Sequence, residues 1–271
     1  MKLFAIPTTT VDHLPKYRKV PFIHSGYRGF SKEFYRLNTK QHYPWDLCFQ
    51  SLFHLHNETV NIWTHLIPGF HFLYIGILEI LSFSKTYPSN VFSLHNSSFL
   101  DDHLVFGVFS LCVAYSFLAS TVFHFLHPIS EEMHYKLRAL DFIGISFNIV
   151  GSQVPLAYYL FYCASTPVLM FYLISLTFFG AFGAAFPFVR IFHLDQNRPI
   201  RVATFILMAT FPMIMWIHRG FPLGMETEGM VFHFLFAAYL GYGLGCVVFV
   251  TRFPERYFPG MKKKKCRAKR F

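Results

Sequence analysis

Charged residues are scarce in this sequence: they make up 14% of the 271 residues, against 54% hydrophobic residues. Such a composition is too apolar for an ordinary soluble domain and is typical of a helical membrane protein. The five cysteines include no CxxC pair, which argues against a disulfide framework and against a cysteine metal site. The N-terminus lacks the apolar stretch of a cleavable signal peptide, because polar and charged sequence follows Ile6 as far as Arg36. We therefore expect the first membrane span to direct insertion.

Long apolar stretches dominate the rest of the sequence. Six of them approach the length of about 20 residues that a helix needs to cross a bilayer, and the alternation typical of strands is absent. They are Ile62–Phe83, Leu104–Leu126, Ala139–Tyr162, Pro167–Val189, Val202–Ile217 and Met230–Val250. The fifth stretch is short and contains Pro212, so we expect a kink there. The sequence predicts an all-α membrane protein, a helical bundle with six transmembrane helices.

Basic residues are distributed unevenly between the two sides of this bundle. Of the 24 lysines and arginines, only Lys85 and Arg219 fall in connections on one side, and all the others fall on the side that carries both termini. Positive charge marks the cytosolic side of a membrane protein, so we expect both termini in the cytosol. The formal net charge of +10 is thereby explained by membrane asymmetry, and we expect no nucleic-acid partner.

The domain organisation follows from these spans. Residues 1–44 are expected to form a cytosolic N-terminal segment, residues 58–260 the transmembrane domain, and residues 261–271 a basic tail that could attract anionic lipid. Residues 45–57 place Trp45, Cys48, Leu52 and Phe53 at helical spacing, which favours an amphipathic helix lying on the inner leaflet. The same pattern fits a packing helix in a cytosolic cap, and we retain both interpretations.

Ionisable side chains at membrane depth are costly, which makes them candidates for function. Ser120 and His124 share a helix face four residues apart, and Asp141 opens the next span on the same side. Imidazole and carboxylate are ligands that zinc favours, so the three residues suggest part of a zinc site in which Asp141 orients or deprotonates water. The alternative is that His124 simply bonds a carbonyl near its helix end, because one imidazole cannot hold zinc alone.

Other polar residues near the membrane have structural interpretations. Glu58 and Asn61 precede the first span and could cap it or hydrogen-bond to neighbouring helices. His65 lies close enough to the same face to serve as a reserve metal ligand. Asn148, Ser152 and Gln153 in the third span are expected to form interhelical hydrogen bonds.

Several sequence motifs, in order along the chain, resemble the progestin and adiponectin receptor family, which is related to hemolysin III. The similarity is greatest to its adiponectin-receptor branch. The motifs are HNETVNIWTH (His56–His65), STVFH (Ser120–His124), LDFIGIS (Leu140–Ser146), YYLFYC (Tyr158–Cys163) and RFPERYFPG (Arg252–Gly260).

The resemblance implies seven helices, a cytosolic N-terminus and a zinc ion near the inner leaflet. It makes His124 a zinc ligand and gives Ser120 and Asp141 supporting roles, while Glu58 and Asn61 match the motif ahead of the first span. Two further histidines are expected in an H-x-x-x-H motif on the seventh helix. Here the sequence after RFPERYFPG continues as MKKKKCRAKRF and has no such motif, so we expect a chain truncated before the seventh helix with an incomplete zinc site.

Two functions compete on these grounds. One is an adiponectin-receptor-like membrane receptor with Zn²⁺ and a ceramidase-like hydrolysis of lipid amides, which would link signalling to lipid metabolism. The other is a non-catalytic receptor or scaffold. A channel or transporter is disfavoured, because neither a broken helix pair nor a charged pore ring is visible. The expected partners are the lipid bilayer, a protein hormone or lipid ligand, and further copies in an oligomer, in the plasma membrane or an endomembrane.

The predicted orientation can be tested through two glycosylation motifs. Asn96-Ser-Ser lies in the first outer loop and is expected to carry glycan, whereas Asn57-Glu-Thr lies on the cytosolic side and is expected to remain unmodified. Glycosidase-sensitive mobility shifts of the wild type, Asn96→Gln and Asn57→Gln measure this directly. Glycan on Asn57 and none on Asn96 would reverse the topology.

Overall fold

Helices account for most of the described residues, as expected for apolar segments that must satisfy their backbone hydrogen bonds internally in a membrane. The computed structural model describes residues 8–20, 23–28, 45–86, 102–161, 166–189, 197–220, 225–254 and 256–257. The glycosylation motif at Asn96 and the basic tail at 261–271 lie outside these ranges. The chain divides into two units, one of residues 58–232 and one of residues 1–57 together with 233–271.

The N-terminal part contains a small sheet that the sequence analysis did not predict. Strand β1 (Thr8–Thr10) pairs antiparallel with β2 (Ser25–Arg28), with an irregularity in register after Thr9. Helix α1 (Trp45–Ser51) follows further along the chain. Strands of three and four residues are too short to give a recognisable alternation of apolar and polar positions, which explains why they were missed.

Two arginines that the charge count assigned to a cytosolic segment are buried in this N-terminal part. Arg18 Nη2 donates to the Arg28 carbonyl at 3.0 Å, and Arg28 Nη1 donates to Ser51 Oγ at 3.2 Å. Cys48 is buried beside them, and burial raises the pKa of its thiol although the charges of Arg28 and Arg18 act in the opposite direction. These bonds join the strand β2 to helix α1.

Helix α1 is amphipathic in a way that the sequence predicted only in part. Cys48 and Ser51 form its packed face, whereas Trp45 and Phe49 are exposed, as is Phe53 just after its end. The packed face agrees with a helix that belongs to a folded N-terminal unit, and the exposed aromatic side chains are those that a membrane interface would accept. That α1 lies on the inner leaflet stays a prediction.

The apolar stretches form helices close to their predicted bounds. Among the described residues, five helical segments are long and apolar enough to cross a membrane, and the last of them, Arg198–Arg219, is interrupted at Thr210. The stretch Leu235–Thr251 is a shorter apolar helix. The helices are α2 (Thr59–Thr86), α3 (Asp102–Leu126), α4 (Glu131–Leu160), α5 (Thr166–Ala185), α6 (Arg198–Ala209), α7 (Phe211–Arg219) and α8 (Met225–Thr251). The predicted fold, an all-α multi-pass membrane bundle, is thereby confirmed.

Within residues 58–232 each of the helices α2 to α7 packs on the next in sequence. Helix α3 lies between α2 and α4, and α4 also contacts α5, α6 and α7. The approach of α3 to α4 depends on Gly144, because a Cβ atom there would lie 2.9 Å from the Ser116 Cα atom. Small residues allow helices in a membrane to pack at such short distances.

The two ends of α4 are fastened to neighbouring helices by different chemistry. At one end the guanidinium groups of Arg138 and Arg201 lie 5.5 and 5.7 Å from the centre of the Phe142 ring, which ties α4 to α6. At the other end Phe161 stacks on Tyr172, whose hydroxyl lies 2.6 Å from His218 Nδ1. The contacts of Arg138 and Arg201 with Phe142 place the α3–α4 and α5–α6 connections on one side of the bundle, as the distribution of basic residues predicted. The compartment that this side faces stays a prediction.

The kink predicted at Pro212 takes the form of a break between α6 and α7, at Thr210. Proline has no N–H group, so the carbonyl of Met208, four residues earlier, loses its regular helical donor. Gln153 Nε2 on α4 donates to this carbonyl at 3.0 Å. The interhelical bond predicted for Gln153 is therefore present, whereas Ser152 bonds the Ile149 carbonyl of its own helix.

This compensation predicts a coupling between Gln153 and Pro212. Gln153→Leu should reduce the free energy of unfolding by about 1–3 kcal/mol, because it removes the side-chain donor of a buried carbonyl. In a Pro212→Ala background the restored N–H can bond Met208, so the same change should cost less. Thermal unfolding in detergent measures this cycle, with Ser152→Ala as a control expected to have little effect. Equal costs of Gln153→Leu in both backgrounds would contradict the assignment.

Candidate functional site

The candidate site lies where the start of α2, the last turns of α3 and the start of α4 meet. The connection from α3 to α4 is short and buried, with Ile129 at 1% exposure. Ser130 caps α4, its hydroxyl accepting a bond from the Met133 backbone N–H at 3.1 Å. The tight turn brings residues of α3 and α4 to the same end of the bundle.

Ser120 and Asp141 face each other across α3 and α4. The Ser120 hydroxyl donates to the Asp141 carboxylate, which also interacts electrostatically with His124, His65 and Arg138. Ser120 is buried and Asp141 is half-buried. The three residues predicted from the sequence, Ser120, His124 and Asp141, therefore lie in one place, whereas their chemical roles stay predictions.

Glu58 precedes α2 and is buried, with 7% of its surface exposed. Its Oε2 atom accepts hydrogen bonds from Asn61 Nδ2 at 2.9 Å and from His124 Nδ1 at 2.8 Å. Its Oε1 atom lies 3.7 Å from His127 Nε2. Of the roles considered from the sequence, the bond across to a neighbouring helix is present, between Glu58 and His124.

The charge state of Glu58 follows from these contacts. Burial raises the pKa of its carboxyl group, but the bond from His124 and the nearby His127 imidazole outweigh burial and hold this pKa well below its usual range. An ionised carboxylate can only accept, so His124 donates through Nδ1. In the neutral ring the lone pair is then on Nε2. A histidine that donates one ring N–H to a carboxylate is the arrangement that commonly orients metal ligands.

His65 lies on α2, one helical turn after Asn61. Its Nδ1 atom is 2.7 Å from the Asn61 carbonyl, and its ring centre is 6.3 Å from that of His124. The Phe117 ring packs edge-on against it at 5.5 Å. The residue that the sequence suggested as a reserve ligand is thus a neighbour of His124.

Two further histidines of this region were not predicted from the sequence. His127 and His134 are buried with ring centres 5.5 Å apart, and Phe123 contacts both of them as well as His124. The spacing of three residues between His124 and His127 places both on one helix face and could have indicated the first of them. His134 follows the turn, and its position depends on the geometry of that turn.

The donor set can be compared with the needs of a metal ion. Among the residues that the structure describes, no three His, Cys, Asp or Glu side chains are grouped closely enough to hold a metal ion. A catalytic zinc site typically has three protein ligands. His124 and Asp141 have suitable chemistry, but they provide only part of such a set.

The buried position of Glu58 predicts a strong effect of its substitution on stability. Glu58→Gln removes the charge that accepts from His124 and should lower the free energy of unfolding by about 1.5–3 kcal/mol. Thermal unfolding in detergent measures the loss. Glu132→Gln is the matched control, because Glu132 and its partner Lys136 are both exposed and the substitution should leave the stability nearly unchanged. A cost at Glu58 no larger than at Glu132 would remove Glu58 from the set of residues that build the site.

Comparison with known proteins shows that the sequence of this chain is similar to one family. The family model described as "Haemolysin-III related" matches residues 53–265. The progestin and adipoQ receptor-like protein 1 of Caenorhabditis elegans is 33% identical over 219 residues, which cover 79% of this chain and 47% of that protein. The adiponectin receptor protein of Drosophila melanogaster is 31% identical over 79% of this chain and 46% of its own length.

Progestin and adipoQ receptor family member 3 of Mus musculus is 28% identical over 89% of this chain and 71% of its own length. The chain spans about half the length of the first two relatives. The family match extends from the residues before α2 through the whole of the candidate site. The chain therefore belongs to the haemolysin-III-related family of multi-pass membrane proteins, which includes the progestin and adipoQ receptors.

Proposed function

We propose that this chain acts as a membrane receptor of the adiponectin-receptor type and that His124, Ser120 and Asp141 form part of a Zn²⁺ site in it. The observation that carries the proposal is the orientation of His124 by Glu58, directly beside the bonded pair of Ser120 and Asp141. Histidines that bind zinc are usually held in this way by a carboxylate.

In this proposal each residue has a separate task. His124 would hold the metal through Nε2, while Glu58 and Asn61 fix the ring and the carboxylate that orients it. A bound Zn²⁺ would supply Lewis acidity and lower the pKa of a water molecule. Asp141 could accept a proton from such a water molecule, and the Ser120 hydroxyl holds the carboxylate in position for this.

The reaction class that we propose for this site is hydrolysis of a lipid amide such as a ceramide. The bundle crosses a membrane, so a lipid substrate would reach the helices from within the bilayer. The finer features of this proposal, namely the metal and the hydrolysis, rest on the donor chemistry of the site and on the resemblance to adiponectin receptors.

The second candidate is a non-catalytic receptor or scaffold that binds a protein hormone or a lipid. The number of donors favours it, because one imidazole and one carboxylate fall short of the three protein ligands of a catalytic zinc site. In that case the bonded network of Glu58, Asn61 and His124 would serve to join α2 to α3. Copies of the chain could also associate in the bilayer in this role.

Metal content distinguishes the two candidates. Purified wild-type protein is expected to contain about one Zn²⁺ per chain, to lose it in His124→Ala, and to keep it in His71→Ala. His71 is an exposed histidine of α2 and provides the matched control. Elemental analysis by mass spectrometry measures the stoichiometry. Zinc retained by His124→Ala would contradict the assigned ligand, and wild-type protein without zinc would favour the non-catalytic receptor.

A further inference from the structure

An apolar groove runs along the face of α3 that points away from the candidate site. Its volume is about 340 Å³, and Leu73 of α2 and Leu140 of α4 line it together with residues of α3 from Leu111 to Val122. None of its lining residues is charged. Ser120 lies two positions before Val122, which is about 200° around the helix axis. The groove and the candidate site therefore occupy opposite faces of α3.

Close packing on both sides of α3 leaves this groove open in the middle. On the side of α2, a Cβ atom at Gly76 would lie 2.8 Å from Leu111 Cδ2, and Gly144 brings α4 equally close on the other side. Between these contacts α3 presents Ala114 and Ala119 to the groove. A single methyl group at each position cannot fill the space between the two neighbouring helices.

The groove has the length of one leaflet of a bilayer. From Leu111 to Val122 the helix rises by about 16 Å, and half of a hydrocarbon core of about 30 Å is about 15 Å. Val122 and Leu140 are 40% and 42% exposed, so the groove is open to lipid at the end near the α3–α4 connection. A molecule of the bilayer can enter it from the side.

Two exposed charges continue the line of the groove beyond its open end. Glu132, Lys136 and Leu140 are spaced by four residues and follow one face of α4. Lys136 Nζ donates to Glu132 Oε1 at 2.7 Å, and both side chains are more than two-thirds exposed. Such an exposed ion pair contributes little stability, so its members can exchange each other for the charges of a ligand.

This arrangement of charges selects among the molecules of a bilayer. A zwitterionic phospholipid has a phosphate that complements Lys136 and an ammonium group that complements Glu132. A free fatty acid or an anionic phospholipid would bring negative charge beside Glu132 without a positive charge to balance it. A sterol has no charge for either residue.

We propose that the groove binds one acyl chain of a zwitterionic phospholipid from the leaflet on the side of the α3–α4 connection, with the headgroup at Lys136 and Glu132. The chain gains close contacts with α2, α3 and α4 that a lipid at a convex helix surface lacks. The inference does not depend on the proposed zinc site, because the two lie on opposite faces of α3.

Photo-crosslinking of the full chain tests the proposal. The protein is reconstituted in phosphatidylcholine vesicles with a trace of phosphatidylcholine that carries a diazirine at the end of one acyl chain. Peptide mass spectrometry then compares the labelling of α3 between Leu111 and Val122 with that of the exposed residues Ile214 and Ile217 of α7. The wild type should be labelled preferentially on α3, because a bound chain stays beside it longer than bulk lipid does.

Substitutions that fill the groove should abolish this preference. Ala119→Trp should reduce the labelling of α3 to the level of α7. Val122→Trp should do the same from the exposed rim, and it keeps the test decisive if Ala119→Trp fails to fold. Ala181→Trp and Ile174→Trp are the matched controls at exposed positions of α5 and should leave the labelling of α3 unchanged.

The headgroup is tested by Lys136→Gln and by the choice of probe. Lys136→Gln should reduce labelling of α3 by the phosphatidylcholine probe. Equal labelling in this variant and the wild type would overturn the role of Lys136, and a wild type labelled no more on α3 than on α7 would overturn the site. Stronger labelling of α3 by a diazirine-bearing fatty acid or sterol would show that the occupant is not a phospholipid.

Discussion

The candidate site depends on the hydrogen bonds that replace water around the buried Glu58 carboxylate. An ionised carboxyl group loses its hydration on burial, and the loss is tolerable only if donors replace the water. Asn61 supplies one donor from the same helix start, and His124 supplies another from α3. Because the His124 bond crosses between helices, the need to solvate one charge also fixes the start of α2 against α3 and determines which nitrogen of His124 is protonated.

The same requirement acts on uncharged acceptors elsewhere in the bundle. The Met208 carbonyl is deprived of its helical donor by Pro212, and Gln153 replaces that donor from α4. Tyr172 and His218 pair at the other end of α4, and Arg219 Nε donates to the Leu160 carbonyl at 3.0 Å. In a bundle that crosses a membrane, packing by apolar contact alone would leave these groups unsatisfied. The polar residues therefore determine which helices are neighbours, while the apolar residues determine that they are helices.

The sequence predicted the spans because hydrophobic length is a direct consequence of bilayer thickness, and it predicted the break at Pro212 because proline lacks a donor. The proximity of Ser120 to His124 followed from helical periodicity, and that of Asp141 from the shortness of the connection. The burial of Arg18 and Arg28 could not be predicted, since it depends on a sheet of two very short strands. The orientation of His65 and the contacts of His127 depend on side-chain geometry that spacing alone does not determine.

The break at Thr210 has a mechanical consequence. Helix α6 has 12 residues and α7 has 9, so the two rods are about 18 and 14 Å long, and neither alone reaches across a hydrocarbon core of about 30 Å. They cross it only as a jointed pair. A bend at this joint would change the direction of one helix without unwinding a turn of the other, and the bond from Gln153 joins the break to α4. The span therefore consists of two short helices whose junction is attached to α4.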